Sequence, residues 1–213
     1  MCGIFGFIGN RSAAPLLIEG LRRLESRGYD SSGIVVKNGS LQVHKKVGNV
    51  SELSKILPNH VEGCSGIAHT RWATHGNVSV ENAHPLTSEN KVAVVHNGII
   101  ENYELIKNKL VSEGYSFESQ TDTEVLPHLF TKYIKLGNNL LQAGRMVLKD
   151  IKGAFAFVVM SLDFQPNSCL VLVDIQKDYK DVFGYQTFKS NVTKLIKEAR
   201  KQNTMVCFVY EKD

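Results

Sequence analysis

The sequence predicts an α+β fold in which layered sheets are covered by helices. Short strands come first, grouped helices follow, and the pattern then returns to strand, an order that suits stacked layers better than a regular doubly wound nucleotide fold. With 213 residues and 43% apolar composition, the chain can bury a substantial core as one domain, or one domain plus a fragment.

The opening CGIFGFI reads as a buried strand in which Gly3 and Gly6 permit close backbone approach. Residues 12–25 look helical: Pro15 suits a first turn, and Leu17, Leu21 and Leu24 repeat on one face. IVVK and LQVHK, separated by NGS, make a hairpin. The apolar stretches 64–70 and 91–96 are strands leading into polar loops. Asn102 can cap a helix carrying Tyr103, Ile106 and Leu110 on one side, with Gly114 to end it. Residues 121–136 form another helix, in which Pro127 implies a later start or a kink. A third helix, 140–151, precedes the strand AFAFVVMSL. Near Phe164 the character changes: FQPNS is turn-like, and CLVLVDIQKDY, a helical 191–201 and TMVCFVY predict strand, helix, strand, the start of a parallel α/β unit.

Bulk properties narrow the function classes. The net charge is +4, but basic and acidic residues are interspersed, without the continuous positive stripe of a nucleic-acid surface. The cysteines at 2, 64, 169 and 207 form no close pairs, so neither a zinc knuckle nor a disulfide scaffold is suggested, and the histidines lack metal-ligand spacing. No basic leader precedes the first apolar residues and no apolar run reaches membrane-spanning length, so a cytoplasmic protein with no membrane partner is expected.

The chemistry concentrates in separated motifs. Removal of the initiator methionine would leave Cys2 with both a thiol and a free α-amine, a strong nucleophile beside a base whose ordinary pKa is near 8. HTRWATHG, residues 69–76, offers Arg71 as a planar fork for a carboxylate, Trp72 as a rigid wall, and Thr74 and His75 as short polar contacts. Asp122, in QTDTE, could meet an ammonium group, so the set could grip both ends of a free amino acid. In HNG, Asn97 and the backbone N–H of Gly98 are the donors that an oxyanion needs. Each has an ordinary alternative: a buried cysteine, a surface salt bridge for Arg71, a core wall for Trp72, a helix cap for Asp122 and a tight turn for Asn97–Gly98.

Taken together, CGI at 2–4, RGYDSSG at 27–33 and HTRWATHG at 69–76 occur in order, and residues 1–162 closely resemble the class II glutamine amidotransferase domain, specifically that of the glutamine–fructose-6-phosphate aminotransferases. The resemblance implies a four-layer α/β/β/α amino-terminal-nucleophile hydrolase fold, here incomplete at its C-terminal side. It also implies Cys2, Asn97 and Gly98 as catalytic residues, with Arg71, Thr74, His75 and Asp122 binding glutamine. Arg27 and Trp72 would support the site, and His84, in NAHPL, matches a further motif position. The implied reaction is hydrolysis of glutamine to glutamate and ammonia through a Cys2 thioester, with no metal and no cofactor. Fructose 6-phosphate would enter only through sugar-isomerase domains absent from this chain, or through another chain. The alternative is a catalytically impaired fragment that regulates or binds a partner.

The resemblance fades after Leu162. Residues 163–168 read as a junction, and 169–213 resemble the beginning of an isochorismatase-like hydrolase, with Asp174 matching an acid of its Asp-Lys-Cys set. The downstream lysine and cysteine regions of that family are absent and Cys207 reads as a strand residue, so this segment implies no independent hydrolase activity.

Overall fold

A computed structural model of the chain describes residues 2–73, 76–163, 169–175 and 206–211, with the side chain of Arg27 and those of the last two ranges outside the description. It is an α+β fold of two sheets flanked by helices. The first sheet contains β1 (Gly3–Ile8), β2 (Ser31–Asn38), β3 (Ser40–Val47) and β4 (Ser65–Arg71), in the order β1-β4-β2-β3. The second contains β5 (Leu86–Ser88), β6 (Val92–Ile100), β7 (Gly153–Ser161), β8 (Cys169–Ile175) and β9 (Val206–Glu211), in that order. All pairings are antiparallel except β8 with β9, which is parallel.

The helices divide between the sheets by their apolar stripes. On α1 (Ala13–Leu24), Ala13, Leu17 and Leu21 are fully buried and pack with Ile34, Val36 and Ala68 of the first sheet, joined by Val50 and Leu53 of α2 (Val50–Ile56). The other cluster is larger. It joins α3 (Tyr103–Ser112), α4 (Val125–Lys135) and α5 (Leu140–Asp150) to Val92, Val94, Phe157 and Val159 of the second sheet. Side chains that alternate to the opposite faces, Val35 and Ile67 from one sheet and Ala93, Val95, Val158 and Met160 from the other, form a third cluster. Lys37 donates from Nζ to the Ser161 carbonyl at 2.7 Å, a polar tie between β2 and β7.

Local chemistry accounts for most boundaries. Pro127 is tolerated because a 3₁₀ turn over Asp122–Glu124 comes first and α4 starts only at Val125, which keeps the proline inside the first helical turn. Asn139 and Gln142 form a reciprocal capping box on α5. Asn102 precedes α3 without capping it through its side chain; its amide instead binds Asp150 O and Lys152 N, tying the α3 start to the α5–β7 corner. Two elements, α2 and β5, fall outside the sequence reading. Their seven and three residues are too short for periodicity to register, although Asn49 caps α2 by accepting from Glu52 N. The helix expected over 191–201 lies outside the described residues, as does the turn-like FQPNS. None of the described helices is long and apolar enough to cross a membrane.

Three histidines stand out in the buried interior. His69, His84 and His96 are at most 5% exposed. Burial is the main cause pushing His69 to about 4 and His96 to about 3, and it holds His84 well below the ordinary range; neighbouring histidines lower His84 and His96 further, and the Arg71 charge lowers His69 and His84. The unfolded chain therefore binds protons below about pH 6.5 that the folded chain refuses. Stability should be fully present above about 6.5 and fall as the pH drops toward 4, by on the order of 1 kcal/mol per pH unit for each such histidine. Urea unfolding between pH 7 and 5 checks this; a flat profile would contradict it. The aliphatic and aromatic core gives a second expectation: Phe130→Ala, at a fully buried ring packed edge-on to Phe157, should lower the unfolding free energy by about 3–5 kcal/mol. Asn139→Ala should cost only about 1 kcal/mol, and equal losses for the two would count against this packing.

Candidate active site

The register of β1 against β4 builds the centre of the site. Gly3 pairs with Thr70, so the next step along each strand brings Cys2 alongside Arg71 and Trp72. Trp72 N donates to Cys2 Sγ at 3.1 Å, and the thiol reaches Trp72 O at 3.6 Å. Gly3 N donates to Thr70 Oγ1 at 3.2 Å. A side chain at position 3 is excluded, because its Cβ would lie 2.7 Å from Leu24 Cβ and 2.9 Å from that same hydroxyl. Gly6 differs: a Cβ there would meet nothing nearer than 3.9 Å, so only the first of the two strand glycines is required by close approach.

The second sheet contributes the end of β6. Asn97 is half-buried and Gly98 exposed, where the strand leaves the core. Asn97 Nδ2 donates to the Cys2 carbonyl at 3.2 Å, and its Oδ1 lies 2.9 Å from His69 Nε2. This crosses between sheets, since His69 belongs to β4 and Asn97 to β6. Gly98 has φ +123°, and a Cβ there would sit 2.0 Å from Ala154 O on β7, so the conformation that turns this backbone outward admits only glycine.

Charged groups border the thiol. Arg71 is 4% exposed and donates from Nη1 to Asn77 O at 3.2 Å. Burial lowers its pKa, while Cys2, Asp30 and Asp122 pull the other way, and a guanidinium keeps its charge under such opposition. Asp122 is buried at the start of its 3₁₀ turn and accepts from Ile100 N at 2.6 Å, so one carboxylate oxygen anchors the far end of β6. It therefore joins Arg71 in the same electrostatic neighbourhood while also serving the backbone. Trp72 is 46% exposed and meets Tyr29 edge-on at 5.9 Å, forming an aromatic wall at the rim. Thr74, His75 and the side chain of Arg27 lie outside the described residues.

Two residues within the quoted motifs carry structure to which the sequence reading assigns no role. Asp30 accepts from Ala73 N at 2.9 Å through Oδ2, and its own N–H donates to Arg71 O, so it straps the 71–73 backbone beside the thiol. His69 contacts Asn97 as described. The available signal for both was their place inside otherwise irregular motifs; the pairing itself depends on tertiary register. Among the described residues, no group of three His, Cys, Asp or Glu side chains is placed to hold a metal ion.

A family model for the glutamine amidotransferase domain matches residues 69–174, from the start of HTRWATHG through β7 and into β8. The glutamine–fructose-6-phosphate aminotransferase (isomerizing) of Methanosarcina mazei is 47% identical over 194 residues, covering 86% of this chain and 31% of that protein. The enzyme of the same name from Chlorobaculum tepidum is 51% identical over 170 residues, covering 76% of this chain and 27% of that one. The chain thus spans about a third or less of the length of these curated relatives. Among solved structures, the glutamine phosphoribosylpyrophosphate amidotransferase of B. subtilis superposes with a TM-score of 0.65 at 32% identity, over 76% of this chain and 35% of that chain. A structure described as the allosteric regulatory enzyme of purine biosynthesis gives 0.66 at 33%, over 76% and 36%. Through these matches, the chain is shown to contain a class II glutamine amidotransferase domain homologous to that of the glutamine–fructose-6-phosphate aminotransferases.

Proposed function

We propose that this domain hydrolyses glutamine to glutamate and ammonia through a thioester on Cys2, the glutaminase half-reaction of glucosamine 6-phosphate synthesis. The observation that carries the reading is Cys2 held at the ends of two different sheets, its Sγ accepting from the Trp72 N–H and its carbonyl from the Asn97 amide. After loss of Met1, the α-amine of Cys2 takes the thiol proton as sulfur attacks the side-chain carbonyl carbon of glutamine. The carbonyl oxygen becomes an oxyanion that accepts from Asn97 Nδ2 and Gly98 N–H. Collapse of this intermediate breaks the C–N bond, and the amine returns its proton so that ammonia leaves. Water then attacks the thioester carbon, releasing glutamate and restoring the thiol.

Arg71 holds the α-carboxylate of glutamine and Asp122 its ammonium group, with Thr74 and His75 completing the pocket; Arg27 and Trp72 support it. The reading extends to a four-layer amino-terminal-nucleophile fold, to its incompleteness, and to a cytoplasmic setting. Fructose 6-phosphate would be reached only through sugar-isomerase domains on a longer protein or another chain. The division at 162, the 163–168 junction and the isochorismatase-like likeness of 169–213 belong to this proposal, with no hydrolysis assigned to the tail.

Glutamate release by the processed chain should be lost in Cys2→Ala; preserved turnover in that variant would remove the nucleophile from the scheme. Arg71→Ala is expected to raise KM for glutamine at least tenfold while changing kcat less, because the carboxylate contact is made equally in ground and transition states. Asn97→Ala should behave in the opposite way, lowering kcat by about 10²–10³-fold with little change in KM. If the two variants show the same split between kcat and KM, the assigned roles are wrong.

A further inference from the structure

The orientation of an asparagine amide is a chemical variable, since its two ends differ only in whether they donate or accept. Asn97 touches two fixed partners. On one side lies the Cys2 carbonyl at 3.2 Å, which can only accept, so Nδ2 must face it. The other end, Oδ1, then faces His69 Nε2 at 2.9 Å, and a hydrogen bond forms there only if that nitrogen carries a proton. With the proton on Nδ1 instead, two lone pairs would oppose each other at 2.9 Å, and the amide would be driven to rotate its oxygen toward Cys2.

We propose that His69 is a positioning residue that locks the Asn97 amide by donating from Nε2 to Oδ1, keeping Nδ2 directed at the Cys2 end of the site. This rests on the glutaminase reading above and names a residue that reading does not use. The surroundings fit. His69 is 1% exposed, held in β4 by pairing on both sides, with Ile4 of β1 and Gly33 of β2, and its ring lies against His84 with centroids 4.4 Å apart. No partner within hydrogen-bond distance and angle reaches its Nδ1 among the described residues, so a proton on Nε2 is the one that meets a well-placed acceptor, Asn97 Oδ1. Burial, helped by the Arg71 charge, holds the ring neutral near pH 7, while Asn97 and the His96 backbone favour a ring proton. One amide hydrogen of Asn97 is spent on the Cys2 carbonyl, and the second is available to a substrate oxygen. His69 thereby acts on the reaction through Asn97 and touches no reacting atom.

The experiment uses the full processed chain, with glutamine as substrate and ¹⁵N-resolved imidazole NMR as a readout independent of turnover. His69 should display a protonated Nε2 and a bare Nδ1 at about pH 7. His69→Phe should lower kcat by about 10- to 100-fold, part of the loss expected for deleting an oxyanion donor, and move KM by less than about threefold. His69→Gln, whose amide can donate to Oδ1, should recover most of that loss. A bare Nε2, or a folded Phe variant with wild-type kcat, overturns the proposal. Should the Phe variant fail to fold, a Gln variant with reduced kcat and an altered Asn97 side-chain amide signal overturns it, and one that keeps both upholds it. If the wild-type chain releases no glutamate, the glutaminase reading fails by itself, and the tautomer still decides whether His69 orients Asn97.

Discussion

The arrangement depends on one strand register. By pairing Gly3 with Thr70, β1 is held against β4 such that the residue preceding it, Cys2, has a single place to go, against the backbone of Trp72. A chain end is ordinarily the loosest part of a domain. Here it is secured by the β1 ladder, by Gly3 N on Thr70 Oγ1, and by the Asn97 amide on the Cys2 carbonyl. A one-residue slip would turn every side chain of β1 to the opposite face, expelling Phe5 and Phe7 from contact with the α1 cluster as well as misplacing the thiol. Stability of the first sheet and placement of the Cys2 thiol are thus the same requirement.

A second constraint is that the site is assembled from both sheets. β4 supplies His69 and Arg71, while β6 supplies Asn97 and Gly98, and the cluster containing Ile67, Ala93 and Val95 sits between them. Packing of that apolar layer fixes the distance across which His69 and Asn97 meet. The polar residues at its end are costly to bury, and the low proton affinities of His69, His84 and His96 record that cost. Asp122 and Asp30 then hold the two strand ends by backbone N–H groups, Ile100 in one case and Ala73 in the other. Rigid elements carry the groups, which suits chemistry that depends on small displacements.

Much of this was legible beforehand, for identifiable reasons. Long, strongly patterned segments such as β1, α1, the β2–β3 hairpin and β7 follow directly from period and turn chemistry, and Pro127 correctly signalled the late start of α4. Short α2 and β5 carry too few residues for such patterns. The neighbourhood of Cys2, Arg71, Asn97 and Asp122 was readable as separate motifs, but neither the Asp30 strap nor the His69–Asn97 pair could be, since both join residues distant in sequence through sheet register. The tail shows the limit of local reading in another way. The apolar run at 169–175 is readable as a strand, and the structure forms it as β8, but its place beside β7 in the second sheet is set by tertiary pairing. Apolar strands carry little information about which sheet they join.

Intact-mass spectrometry of the purified chain, before and after exposure to an electrophilic analogue of glutamine, asks whether Cys2 is a processed terminal residue that reacts in the glutamine pocket. The expected result is a starting mass lacking Met1, a single adduct on the new terminal residue, and protection by excess glutamine, with Cys64, Cys169 and Cys207 unlabelled. Retention of Met1, or an adduct distributed over the other cysteines and insensitive to glutamine, would contradict it.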